Sequence, residues 1–402
     1  MKHYTTILFL LLFYPMMAQE EFDIDESMLE ETVEEEKKWT LDGYIKDLRT
    51  IFIDTSGNPF LFNSQIHNRL NFNWYINDKW TVHSGLRTQI FYGTLINTAN
   101  PFEPFATSID GANDDVLDMS FLVADGSNFV WHSVFDRLYV DYTTEKWQVR
   151  LGRQRINWGI NTVWNPHDIF NAYSYFDFDY EERPGSDALR VQYFTGFASS
   201  VEVAIKAFDT VDEFVGGAMW RTNKWNYDFQ FLGGVFFKDV VVGAGWAGSI
   251  GNVGFKGELT TFIPYDSADS TETAFSGTLG FDYSLDNSTY FSGGMLFNSL
   301  GTTDRAALNV LALELNAKNL YPYQYSFFGL VSYPFNPAIS GSVSLIYSPS
   351  ADQALFINPS LTYSIKDNWD IDLIGQLVFN NDENGDFGLP VTVLFTRLKW
   401  SF

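Results

Sequence analysis

The chain predicts a transmembrane, antiparallel, up-and-down β-barrel of about 18 strands, and three observations carry that prediction. Apolar and polar residues alternate with period two along most of its 402 residues, the pattern of strands with one face in lipid and one in water. Phe, Tyr and Trp make up 18% of the chain against 19% for charged residues, an excess that suits two interfacial girdles. No run approaches the ~18 consecutive apolar residues of a membrane-spanning helix, so a closed barrel is the remaining way to cross a bilayer.

The N-terminus opens with Lys2 and His3, an apolar run from Ile7 to Phe13, and Ala18. That layout is a secretory signal peptide, residues 1–18. Residues 19–38 form a strongly acidic segment, with ten carboxylates from Glu20 to Glu36, expected to be a solvated periplasmic tail. The barrel occupies 39–402. The chain has no Cys, so disulfides and Cys–metal sites play no part. A net charge of −25 excludes the basic footprint that nucleic acid requires.

Within the barrel, Ile66, Leu70, Phe72 and Trp74 share one face while His67, Arg69, Asn71 and Asn73 share the other. Val201, Val203 and Ile205 oppose Glu202 and Lys206 in the same way. Ile371 and Leu373 oppose Asp370 and Asp372. Strands are read as starting near 41, 62, 80, 131, 147, 188, 199, 214, 225, 239, 252, 273, 288, 324, 338, 353, 369 and 389, with counts down to 14 also compatible. An even count puts both ends in the periplasm.

Short turns at Asn77-Asp78-Lys79, Glu145-Lys146, Asn223-Lys224 and Asp367-Asn368 are each followed by Trp: Trp80, Trp147, Trp225 and Trp369. These predict a periplasmic ring of indoles. Long connections at Ile96–Phe129, Gly159–Asp187, Pro264–Thr273 and Ser299–Tyr323 fall on the other, extracellular side. Arg305–Lys318 within the last reads as a loop helix. The aromatic loop (Trp164, Phe170, Tyr173, Tyr175, Phe176, Phe178, Tyr180) and the acidic loop (Asp110, Asp114, Asp115, Asp118, Asp125) either pack near the membrane or fold inward to narrow the lumen. The final strand ends in Trp400 and Phe402, the terminal aromatic signal by which the barrel-assembly machinery is expected to recognise its client.

The distinctive stretch is Arg137-x-Tyr139-x-Asp141, Gly152-Arg153-Gln154, Trp158-Gly159 and Asn165-Pro166-His167-Asp168. Over about 50 residues it resembles porin-like barrels related to alginate-export proteins. That resemblance implies a basic lumen passing anionic or carbohydrate solutes.

From the residues themselves, Arg69, Arg87, Arg137, Arg153, Arg155 and Arg190, with Arg397 and Lys399 on the closing strand, are expected to form a basic wall. Asp282, Asp370 and Asp372 are expected to face it, giving a transverse field. The competing reading is that Arg137, Asp141 and Arg153 pair with one another and brace adjacent strands. Failed alternation near Gly152 predicts a bulge there, and Asp168 is expected to cap the backbone of its turn. The mature chain has four histidines (His67, His83, His132, His167), none in a nucleophile motif, so no enzyme activity is expected, and no cofactor or metal.

The expected function is a porin-like outer-membrane channel for small polar or anionic solutes or oligosaccharides, of a Gram-negative envelope. The alternative is a non-conducting scaffold subunit of an envelope complex. Outer-membrane lipid is the expected environment in either case.

Overall fold

A computed structural model describes residues 37–53, 59–94, 96, 105–111, 115–172, 179, 183–265, 272–306, 315–382 and 384–402. The signal peptide and acidic segment, and most of the predicted helix within Arg305–Lys318, lie outside the described residues.

The first strands are β1 (Trp39–Ile53), β2 (Pro59–Asn77), β3 (Trp80–Gly93), β4 (Ser120–Gly126), β5 (Phe129–Thr143), β6 (Trp147–Gln154) and β7 (Ser186–Gly196). Next come β8 (Ser199–Lys206), β9 (Val215–Lys224), β10 (Tyr227–Phe236), β11 (Asp239–Ile250), β12 (Val253–Pro264) and β13 (Ala274–Ser284). The last are β14 (Tyr290–Asn298), β15 (Tyr325–Asn336), β16 (Ile339–Ser348), β17 (Ala354–Lys366), β18 (Trp369–Asn381) and β19 (Phe387–Ser401).

Every pairing is antiparallel, and β19 pairs with β1 from Tyr44↔Ser401 to Ile53↔Thr392. The sheet therefore closes, which removes the two edges that an open sheet would leave unpaired in lipid. Of its nineteen strands, β4 joins only β5, so the closed barrel has eighteen. Their starts lie within three residues of those read from the alternation.

β4 is the exception, since it falls within the long connection that the sequence predicts between Ile96 and Phe129. β6 stops at Gln154 and pairs with β5 only over Leu138–Thr143. β4 covers the upper edge of β5 that β6 leaves open, from Val134↔Ser120 to Phe129↔Gly126. The turn residues Gly126, Ser127 and Asn128 between two apolar runs were the legible hairpin signal.

Large apolar side chains point outward, including Val201, Val203, Ile205, Trp220, Phe231, Val242 and Leu259. Lys46, Arg153, Glu202 and Glu258 point inward and are buried. That polarity is the inverse of a soluble core and matches a lipid-facing wall.

The short turns and both ends of the barrel share one rim. There Trp80 packs on Tyr142 at 4.7 Å, Trp147 on Tyr193 at 4.5 Å, and Trp369 on Trp400 at 6.0 Å between ring centroids. Trp225 departs from the expectation. It lies within its turn, with φ of 57° followed by 62° at Asn226, the pair of left-handed residues that a two-residue hairpin turn needs.

The expected bulge at Gly152 falls instead on the neighbouring strand. The β3–β5 register slips between Gly85↔Arg137 and Leu86↔Phe135, so Asp136 is the extra residue. Gly152 keeps its place opposite Tyr139, at φ +119°, where an added Cβ would lie 2.3 Å from the Leu138 carbonyl oxygen. Only glycine fits there.

The chain terminus closes the seam. Phe402 N–H donates to Gly43 O and Gly43 N–H to Phe402 O, both at 3.0 Å. Trp400 lies 5.1 Å from the Phe402 ring. Deleting Phe402, or replacing Trp400 and Phe402 by Ser, is predicted to lower the folded yield severalfold. Heat-modifiable gel migration reads this; an unchanged folded fraction would contradict it.

Candidate functional site

Between β6 and β7 the chain turns into the lumen rather than out to solvent. Ile156, Trp158, Val163, Trp164, Ile169 and Phe170 are buried there, as are Asn165, His167, Asp168 and Asn171. The cause is the density of apolar side chains: in a water-filled lumen they bury themselves against whatever apolar wall is available. Trp158 stands edge-on to Phe170 at 4.9 Å and joins Ala188, Ala204, Met219, Val241 and Phe262 of the inner wall. Trp164 joins a second cluster with Leu296, Phe328, Ile346 and Phe356, completed by Tyr321 and Tyr323 from the β14–β15 connection.

The wall beneath is made of small residues, and the close approach requires them. A Cβ on Gly243 would lie 2.7 Å from His167 Nε2, and one on Gly245 2.9 Å from the same ring.

Polar anchors fix the loop's position. The Glu258 carboxylate of β12, fully buried, accepts backbone N–H groups from Ile160, from Asn161 at 3.0 Å and from His167 at 3.0 Å. Glu202 of β8 accepts the Trp158 indole N–H at 2.7 Å and is also held by Arg190 and Arg221, each at 2.8 Å. Gln230 donates to the Trp158 carbonyl at 2.8 Å and meets His167 Nδ1 at 2.6 Å. His167 Nδ1 then accepts and Nε2–H donates to Leu259 O at 3.3 Å, the neutral tautomer. Burial lowers the His167 pKa, so its 4.0 Å approach to Glu258 is not an ion pair.

Burial pushes the Asp168 carboxyl up to about 7, against the pull of Arg155. Asp168 lies beside the Trp158 backbone and does not cap its own turn, which corrects the sequence expectation. The turn is closed by Asp168 N–H on Asn165 O at 3.0 Å.

The loop also reaches the opposite wall. Asp179 meets Lys46 of β1 at 2.7 Å, Arg397 of β19 at 3.0 Å and His67 of β2 at 3.8 Å. Burial raises its carboxyl, but His67 and Lys46 more than offset this and hold it well below the usual carboxylate range. Tyr173, Tyr175, Phe176, Phe178 and Tyr180 lie outside the described residues.

The predicted lumenal residues sort into specific pairs. Arg69 binds the Asp136 carboxylate and donates to Asn71 at 2.7 Å; Arg87 stands 4.0 Å from the same Asp136. Arg137 donates to the carbonyls of Asp136 and Arg183. Asp141 pairs with Arg150 at 2.8 Å. Arg153 forms a two-point contact with Asp187, at 2.9 and 2.8 Å.

Arg137, Asp141 and Arg153 therefore do not pair with one another, because the β5–β6 register sets Asp141 opposite Arg150 and the β6–β7 register sets Arg153 opposite Asp187. Asp282 meets Lys256 at 3.3 Å, Asp370 accepts from Ser364 at 2.7 Å, and Asp372 pairs with Arg397 at 2.8 Å. Lys399 lies over the Tyr44 ring at 4.8 Å. Arg155 is half-buried at the root of the loop. Asp370 and Asp372 do not oppose the basic wall. Closure of β19 onto β1 makes them its neighbours, and of the three expected acids Asp282 alone sits remote from it.

The loop separates two lumenal cavities. One of about 280 Å³ toward the rim of the long connections is bordered by Arg87, Asp136, Arg153, Asn171, Lys206 and Asn316. One of about 490 Å³ toward the turn rim is bordered by Gly159, Ser200, Arg221, Asp228 and Gln230. The acidic loop contributes Asp115, which pairs with Lys206 at 3.0 Å and accepts the Asp187 N–H at 2.8 Å. Lys46, Asp136, Asp179, Glu202, Gln230 and Glu258 were not singled out from sequence. The inward parity of Lys46, Glu202, Gln230 and Glu258 was legible and their partners were not, whereas the bulge turns Asp136 inward against the alternation and Asp179 lies in a loop without strand parity.

An eighteen-strand barrel with an internal loop and a charged inner wall is the architecture of an outer-membrane porin. No protein-family model and no curated protein sequence matches the chain. In structure it is similar to Pseudomonas aeruginosa OccK11 (OpdR), at TM-score 0.56 and 9% identity, covering 90% of this chain and 96% of that one. Pseudomonas aeruginosa OprD gives 0.56 and 8% over 90% and 95%. Acinetobacter baumannii OccAB3 gives 0.53 and 10% over 90% and 99%. At such identity the likeness is one of fold.

Replacing Glu258 by Ala leaves three loop N–H groups, that of His167 buried and those of Ile160 and Asn161 half-buried, without their charged acceptor, each such bond contributing about 1.5–3 kcal/mol. The loop is predicted to detach, giving larger and noisier single-channel conductance than wild type. Unchanged conductance from folded variant protein would contradict this.

Proposed function

We propose that the chain is a porin-like channel for small polar solutes that favours anions. The observation that carries this is the unbroken run of inward cations on nine adjoining strands. They are Arg397 and Lys399 on β19, Lys46 on β1, Arg69 on β2, Arg87 on β3, Arg137 on β5, Arg150 and Arg153 on β6, Arg190 on β7, Lys206 on β8 and Arg221 on β9. Many are balanced by carboxylates, so they can stay ionised at low cost.

Arg87 and Lys206, with side chains 16% and 30% exposed, border the cavity toward the long connections and bias its potential. Over about 10 Å, the screening length at 0.1 M salt, such charges act across a narrow passage. The stretch that resembles alginate-export-type barrels supplies Arg137, Arg153 and the loop's root, which agrees with an anionic or carbohydrate solute without selecting one.

Planar-bilayer recording tests the proposal. Wild type is expected to conduct, with an anion-preferring reversal potential in a salt gradient, and Arg87→Ser with Lys206→Ser to shift that potential toward cations. Folded protein without conductance, or a reversal potential indifferent to both substitutions, would overturn it.

A further inference from the structure

The outer wall of the barrel carries one feature that lipid does not suit. On β1 the outward positions run Ile45, Asp47, Arg49, Ile51 and Ile53, in alternation with the inward Tyr44, Lys46, Leu48, Thr50 and Phe52. Asp47 and Arg49 thus face out of the barrel. They pair at 3.2 Å with side chains 32% and 68% exposed. Apolar Ile45 and Ile51 bracket them along the strand, so the pair lies within the lipid-facing band and not at a rim.

Polar side chains continue sideways from it. Thr396 of β19 and Ser64 of β2 stand in register with Arg49. Two outward rows nearer the turn rim, level with Ile45, Asn68 of β2 is in register with Thr88 of β3, which bonds Ser133 of β5 at 3.0 Å. Asp47 Oδ1 is shielded from solvent and has no hydrogen-bond partner, and the Arg49 guanidinium spends its contacts on Oδ2 alone. A charge at this depth is costly against acyl chains, and an incompletely paired one more so.

Beside the pair the wall is notched. A groove of about 890 Å³ runs outside β15–β19 and β1, with Arg49 and Ile51 at one side and Gly341, Pro359, Gly375 and Leu394 along it. Its floor is low because Gly341 and Gly375 lack side chains and because the β17–β18 ladder skips Asn358 and Pro359, passing from Ile357↔Leu377 to Ser360↔Ile374. Asn358 Nδ2 bonds the Gly375 carbonyl at 2.8 Å in place of the missing pairing.

We propose that this face, centred on Asp47 and Arg49, is the contact between copies of this chain in the membrane. Charge complementarity selects that occupant. A lipid headgroup does not reach the depth of the pair, whereas a second copy presents the same acid and base at the same depth. Copies related by an axis along the membrane normal keep their heights matched, so each Arg49 can reach the carboxylate of its partner's Asp47 while the polar rows meet and the groove is filled.

The chain has no Cys, so single cysteines report proximity cleanly. In intact outer membranes treated with a flexible bis-maleimide, Ser64→Cys is expected to give a dimer band. Val242→Cys, outward-facing on the far wall, is expected to give none. In the Ser64→Cys background, Asp47→Arg should lose the band, and Asp47→Arg with Arg49→Asp should regain it, since the exchange restores both signs. Heat-modifiable migration confirms folding in each case. Ser64→Cys cross-linking no better than Val242→Cys would overturn the proposal. So would native mass spectrometry of wild type from mild detergent that finds monomers with retained phospholipid, which would make the groove a lipid site.

Discussion

Glu258 and Glu202 are carboxylates placed where a membrane barrel would ordinarily hold water, and the arrangement of the lumen depends on them. A buried carboxylate is tolerated only when its oxygens are filled with donors. Glu258 finds these in three loop N–H groups, and Glu202 in an indole and two guanidinium groups. The apolar side chains of the loop would collapse against some wall regardless. The carboxylates decide which wall and in what register, because each backbone N–H must reach a particular oxygen. Through Trp158, Gln230 and His167 the same contacts fix the neutral histidine and the small-residue floor beneath it.

The other wall obeys a second balance. Cations on adjoining strands would repel one another if left alone, and the chain interleaves Asp136, Asp141, Asp187 and Glu202 with them. The loop contributes Asp179 as a further counter-charge, tying together β1, β2 and β19 across the seam. A wall built this way stays ionised and ordered, and Arg87 and Lys206, which border a lumenal cavity, keep part of their side chains exposed within it. Closure of the barrel and the electrostatics of its lumen are coupled, since Arg397 and Lys46 lie on the two strands that meet at the seam.

The fold was legible in the sequence because a half-lipid, half-water strand writes its parity into every second residue. The strand starts and the short-turn rim followed from that period together with the turn residues between segments, with counts from 14 to 18 compatible with it. β4 was missed although Gly126, Ser127 and Asn128 between two apolar runs mark its hairpin; what pairing adds is the reason for it, an edge of β5 that the short β6 leaves open. The inward parity of Arg69, Arg153 and Arg190 was also readable. Their partners were not: Asp136 is the extra residue of the β3–β5 bulge, and Asp187, directly opposite Arg153, lies at the very start of β7. Asp370 and Asp372 were placed opposite the basic wall by linear order, which closure of a ring overrides. The inward loop was one of two readings of an aromatic segment. What decides between them is the pair of glutamates about 45 and 100 residues downstream, at positions that parity alone marks only as lumenal.

Hydrogen–deuterium exchange of the folded full-length protein, resolved over residues 156–171, tests most directly whether buried carboxylates hold this loop against the inner wall. The account predicts protection of the Ile160, Asn161 and His167 amides comparable with that of the β11 and β12 strands. Exchange of that segment as fast as the exposed turns at Gly251 and Gly385 would contradict it.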